Sequence, residues 1–170
     1  LSIAMAVSPS CSVRKYIPEE EFLYTGAKLD IEKDENVKDF KRVEAELEDV
    51  LRPEPNSKFL GVRWGLYFHY KAQDNPNFIT RFLNKKMGEE PVYESQVDLQ
   101  HIEKVLNNRL ENQGFFLSSV SSEVIRKEKK KQSEAVYKLN VAEPYLIEYY
   151  TVEADSLPIY KDIRETMEES

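Results

Sequence analysis

The groups in this chain with chemical reach are few: two histidines, His69 and His101, one cysteine, Cys11, and one adjacent carboxylate pair, Glu89-Glu90. Acid–base or metal chemistry needs such groups to converge, and convergence on one element leaves a spacing. His69 and His101 are far apart and show no ligand spacing, so each reads as a structural or exposed histidine. Adjacent side chains point apart, so Glu89-Glu90 reads as a capping pair at the turn before Pro91 and not as an acid–base couple. There is no cysteine pair, no glycine-rich phosphate loop and no G-x-S-x-G elbow. A hydrolytic reading would require a pocket that sets His69 or His101 beside a carboxylate, and nothing in the spacing favours one. The expectation is a binding protein with no catalytic residues, cofactor or metal.

Cys11 invites a different chemistry. Leu1 to Val7 is apolar and uncharged, and Ser8-Pro9-Ser10 is small and turn-forming. That order resembles the back half of a secretory signal ahead of a lipid-modified cysteine. The position three before the cysteine is Ser8, where a bacterial lipobox usually carries an apolar residue. The alternative is an ordinary N-terminus with a stray thiol. On the lipoprotein reading, residues 1–10 are a signal remnant and 11–21 a lipid-anchored tether. Acyl chains contribute about 0.8 kcal/mol per buried methylene, so several of them anchor firmly.

Composition limits the partners. Charged residues make up 32% of the 170, with a net charge of -7. That balance argues against nucleic acid, which rewards a basic surface. No apolar run approaches the roughly 20 residues of a spanning helix.

Any binding surface must be built from the following elements. Phe22 to Ile31 reads as a strand, with Gly26 as a bulge or close-approach point. Phe40, Val43, Leu47, Val50 and Leu51 recur at helical spacing, with Asp34 or Asn36 as a cap and Pro53 as the stop. Phe59 to Lys71 fits a helix and an alternating strand equally by pattern. A helix is favoured because it puts Arg63 and Lys71 on one polar side, with the aromatics as core packing. Phe78, Ile79, Phe82 and Leu83 mark a short helix stopped by Gly88. Leu99, Ile102, Val105, Leu106 and Leu110 form the clearest stripe, with Ser95 as cap and Asp98 as its box partner. Gly114 gives the left-handed exit, and Phe115 and Phe116 anchor the chain to the core.

A hairpin closes the unit. Leu117 to Ile125 carries four serines beside Val120 and Val124, a polarity suited to a sheet edge. Arg126 to Gln132 is a basic turn that reads as a solvated tip. Ala135 to Val141 is apolar enough for a central strand. The expected class is α+β, two layers, a small mixed sheet with helices on one face. Beyond Pro144, alternating Tyr145, Ile147 and Tyr149 followed by Ile159, Ile163 and Met167 read as the start of a second, truncated unit over 144–170.

The order strand, helices, hairpin, with Gly114-Phe115-Phe116 before the hairpin and Val141-Ala142-Glu143-Pro144-Tyr145 after it, resembles a POTRA domain. These domains precede the barrel in the BamA/TamA outer-membrane assembly family. Asn56-Ser57-Lys58-Phe59-Leu60-Gly61, Gly88 to Val92 and Cys11 are more particularly similar to the lipoprotein TamA relatives of Bacteroidetes, TamL. A minimal POTRA joins its helices closely, whereas here about 53–94 reads as an insertion within a 22–143 domain. The resemblance implies the periplasmic side of the bacterial outer membrane, further POTRA domains and a C-terminal barrel. It implies as partners unfolded outer-membrane proteins or envelope assembly proteins. With the polar strand, it makes Ser119, Val120, Ser121, Ser122, Glu123, Val124 and Ile125 the candidate peptide-binding edge, through strand addition. A second reading is a structural spacer or docking domain for such a partner.

Overall fold

The computed structural model describes residues 13–149. Cys11, the signal-like segment and the helical pattern after Ser156 lie outside the described residues. The longer elements run, in order, β1 (Leu23–Lys33), α1 (Lys41–Glu48), α2 (Trp64–Asp74), α3 (Phe78–Met87), α4 (Leu99–Asn112), β2 (Ser119–Lys127) and β3 (Gln132–Val141). No helix among them is long and apolar enough to cross a membrane.

The sheet has the order β1-β3-β2, with β3 parallel to β1 and antiparallel to β2. A central β3 is what its apolar content predicts, since both its edges are paired. β1 reaches the core on two phases. Tyr24 faces the helices, and after Gly26 so do Ala27, Leu29 and Ile31. The phase changes because Tyr24 pairs with Ser133 and Ala27 with Ala135, which leaves one extra residue on β1. A one-residue slip exchanges the faces of a strand, and the bulge makes that slip locally. Gly26 sits there at φ 124°, a conformation side chains rarely adopt.

α1 and α4 lie on one face of the sheet and share its core. Val43 and Leu47 from α1, and Ile102, Leu106 and Leu110 from α4, pack with Tyr24, Ala135, Tyr137, Leu139 and Val141. The architecture is therefore a small two-layer α+β domain with a mixed sheet. The Tyr24 and Tyr137 hydroxyls are buried in this layer without a hydrogen-bond partner among the described residues. Burial pushes both phenols up, Tyr24 to about 12. Val136 is buried on the opposite face, between its cross-strand neighbours Lys28 and Glu123.

Segment 53–94 holds a helical hairpin, α2 and α3, with a smaller core of its own. Leu66 and Tyr70 of α2 pack with Ile17 and Leu23. Tyr16 stacks on Tyr70 at 4.9 Å, and the Tyr70 and Tyr93 hydroxyls are 2.9 Å apart. Residues 13–17 are thus packed, contrary to the free tether expected from their polarity. Tyr16 and Ile17 supply apolar surface that the charged neighbours mask in sequence.

Four local expectations are corrected. Neither Asp34 nor Asn36 caps α1; it follows Phe40, whose ring is buried and meets Phe115 edge-on at 5.5 Å. Asp34 instead donates its backbone N–H to the Val141 carbonyl. α1 also stops at Glu48, ahead of Pro53, although Val50 and Leu51 still pack on the core. α4 is capped by Asp98, whose carboxylate accepts the His101 N–H at 2.9 Å, while the Ser95 hydroxyl donates to Glu21. Phe115 anchors the chain, but Phe116 is 59% exposed and its ring meets Tyr145.

Candidate peptide-binding edge

The hairpin is held at both ends. At its start, Gly114 leaves α4 at φ 88°, and Phe115 donates to the Leu110 carbonyl. The Ser118 hydroxyl accepts the Ala142 N–H at 3.0 Å, tying the start of β2 to the end of β3. The Gly114 carbonyl also accepts the Tyr145 N–H, and a Cβ at Gly114 would lie 2.8 Å from the Tyr145 oxygen. Gly114→Ala is expected to cost about 1–3 kcal/mol, combining the left-handed backbone with this close approach. A urea titration measures it, and the Tyr145 amide should lose hydrogen-exchange protection in the same variant.

At its far end, Arg126 grips Glu94 with two nitrogens, at 2.5 and 3.0 Å, and lies over the Phe22 ring at 5.1 Å. The Glu94 hydrogen bond raises the Arg126 pKa further. β2 runs through Lys127 and β3 begins at Gln132, so the turn is only Glu128 to Lys131, shorter than the Arg126–Gln132 loop expected. Its last residue, Lys131, is left-handed and donates Nζ to the Pro18 and Glu19 carbonyls. The basic tip is therefore docked in part, where its charge alone predicts full solvation.

All seven sequence-predicted residues, Ser119 to Ile125, lie on β2 at the sheet border. Val120, Ser122 and Val124 are half-buried, and the Ser122 hydroxyl donates to Glu103 on α4 at 2.5 Å. Ser119, Ser121, Glu123 and Ile125 are exposed. Glu123 pairs with Lys138 at 3.1 Å. Both are half exposed, so the pair contributes little. Within an antiparallel ladder a residue turns both N–H and C=O toward its partner strand or away from it. Alternate residues of β2 therefore present both groups outward. Among the described residues, nothing hydrogen-bonds to them.

The opposite border of the sheet differs. Tyr24 donates to the Val92 carbonyl at 2.8 Å, and Glu94 donates to the Phe22 carbonyl at 2.9 Å. Pro55 stands 3.3 Å from where a Gly26 Cβ would be. The first half of the outer edge of β1 is thereby occupied, while among the described residues the full length of β2 is not.

The residues with chemical reach do not converge. His69 Nε2 meets the Gln73 amide at 2.9 Å, and neither imidazole is hydrogen-bonded to a carboxylate among the described residues. No group of three His, Cys, Asp or Glu there is placed to hold a metal. Glu89 and Glu90 do different work from the turn cap expected of them. The buried Asn56 amide donates to the Glu90 carbonyl at 2.7 Å and to the Glu89 carboxylate at 3.3 Å, and its oxygen accepts the Val92 N–H at 3.0 Å. Ser57 adds its N–H and hydroxyl to Glu89. The segments Asn56–Gly61 and Gly88–Val92, separate in sequence, are joined here.

No family model, curated protein or solved structure matches this chain at a significant level.

Proposed function

We propose that this domain binds an extended polypeptide by adding it as a fourth strand along β2. The observation that carries the reading is the contrast between the two sheet borders. Among the described residues, β2 offers nine residues of unpaired edge, about 30 Å at strand rise, whereas the start of the β1 edge is already bonded. Backbone hydrogen bonds do not depend on side-chain identity, so such an edge accepts many sequences. That tolerance suits a receptor for unfolded barrel strands. The POTRA-like order of elements supports a place in outer-membrane protein assembly on the periplasmic side. An acylated Cys11 would hold the domain near the membrane there.

Prolines at Ser121 and Ser122 test it. These neighbours have opposite phases, so one proline removes an outward N–H and the other breaks the ladder to β3. The variant that retains wild-type melting should bind an alternating, barrel-like peptide at least about fivefold more weakly, the loss of roughly one hydrogen bond. Amide shifts along Ser118 to Ile125 report the contact directly. Unchanged affinity in the well-folded variant rejects strand addition.

One observation favours the second reading, a spacer or docking domain. The segment after β3 is pinned where Tyr145 donates to Gly114 and packs on Phe116, which would transmit the orientation of this domain to whatever follows. A domain acting only in this way shows no shifts along β2 with any peptide.

A further inference from the structure

α3 has no fully buried residue: Thr80, Leu83 and Asn84 are partly covered, and an apolar stripe on another side of the helix is exposed. Phe78 is 85% exposed, Ile79 66% and Phe82 53%. At 3.6 residues per turn, these three fall within about 100° of arc. Large apolar side chains grouped in water mark a contact surface. The arc has a definite electrostatic setting. Residues 78–87 carry Arg81, Lys85 and Lys86 and no acid, in a chain whose net charge is -7. Arg81 and Lys85 border the apolar arc, and Lys86 rises between Phe82 and Ile79. The helix is also formed in advance. Asn77 and Thr80 make a reciprocal capping box, with bonds of 2.9 and 3.0 Å.

The position of Lys86 decides between occupants. In the groove of a protein partner, the Lys86 ammonium, set between apolar side chains, would need a carboxylate placed within the apolar contact itself. At a lipid surface the lysine stem lies along the acyl boundary while its ammonium stays among the headgroups. Cations beside and within an apolar arc fit anionic headgroups by charge and by depth. We propose that α3 is an interfacial helix. It seats Phe78, Ile79 and Phe82 in a bilayer surface that carries anionic lipid, with Arg81, Lys85 and Lys86 among the headgroups. This contact is separate from β2 and does not depend on strand addition.

Vesicle co-sedimentation of the full chain tests it, with Cys11→Ser throughout so that no acyl chain contributes. Vesicles of phosphatidylcholine with about 30% phosphatidylglycerol should bind the protein at least about tenfold more tightly than phosphatidylcholine alone. Phe78→Ser with Phe82→Ser should lower that binding at least about tenfold with an unchanged circular dichroism spectrum, since both side chains are exposed. Lys85→Glu with Lys86→Glu should remove the preference for the anionic vesicles. No binding to anionic vesicles overturns the proposal, as does binding that survives the Phe78 and Phe82 changes. Self-association in sedimentation velocity that those changes abolish, without vesicle binding, overturns it in favour of a second copy of the chain.

Discussion

Leu106→Ala should destabilise the domain by about 3 kcal/mol, within the range for truncating a fully enclosed leucine. Leu106 is 0% exposed and stands where α4 meets Leu47 of α1 and the helix-facing side of β3. The backbone of a two-layer domain cannot collapse into a hole bounded by a sheet on one side and helices on the other. The transfer loss and most of the cavity cost therefore both remain. Against a total stability of about 5–15 kcal/mol, such a loss is severe. The half-buried Leu99 on the same helix is the control, and Leu99→Ala should cost about 1 kcal/mol or less, consistent with its partial exposure. Urea titration of both variants measures the difference. Equal, small costs would mean that α4 does not cover the sheet, and the candidate edge would lose its support, because α4 backs β2 through Ser122 and Glu103.

That layering was legible because its signals are local and repeat. The stripe through Leu110 and the glycine after it mark α4, and the serines of β2 against the apolar run of β3 distinguish border from centre. Phe59 to Lys71 fitted two periods until its first residues are set aside. Phe59 and Val62 exchange backbone hydrogen bonds around Leu60 and Gly61, both at positive φ, so the helix can begin only at Trp64. The caps differ from the sequence expectation for a similar reason. Ser95 and Asp98 are equally good caps by residue type, and only the hydrogen bond of Ser95 to Glu21, distant in sequence, assigns the role to Asp98. Arg126 and Lys131 looked like solvent-facing charge because their partners, Glu94 and the carbonyls of residues 18 and 19, belong to other parts of the chain. Asn56 is the sharpest case. A buried asparagine next to prolines reads as a turn residue, and no periodicity predicts that it bonds to three groups more than thirty residues ahead.

Asn56→Ala should cost about 2–3 kcal/mol, because it strands two backbone groups at once. The Val92 N–H and the Glu90 carbonyl both lose their partner, and Val92 is the residue whose own carbonyl bonds to Tyr24 on β1. The link from the inserted segment to the sheet therefore weakens together with the side-chain contacts. Asn56→Asp separates hydrogen bonding from size. It keeps an acceptor for Val92 but turns a carboxylate toward the Glu90 carbonyl and the Glu89 carboxylate, so it should be worse than alanine at neutral pH and improve on acidification. The wild type has the opposite slope. Burial works to raise the Glu89 pKa, but bonds from Ser57 and Asn56, with the Arg63 charge, outweigh it and hold the carboxyl below its ordinary value. A carboxyl depressed in the fold stabilises fully above its unfolded value, about 4.3, and that contribution disappears as pH falls through the folded value. Urea titrations from neutral pH to about pH 3 should thus show the wild type weakening only in the last part of the range. Asn56→Ala should lose less additional stability over that range, because Glu89, missing one of the bonds that hold it ionised, is less depressed and its acid-labile contribution is smaller. Parallel curves for wild type and Asn56→Ala would detach Asn56 from the Glu89 carboxylate.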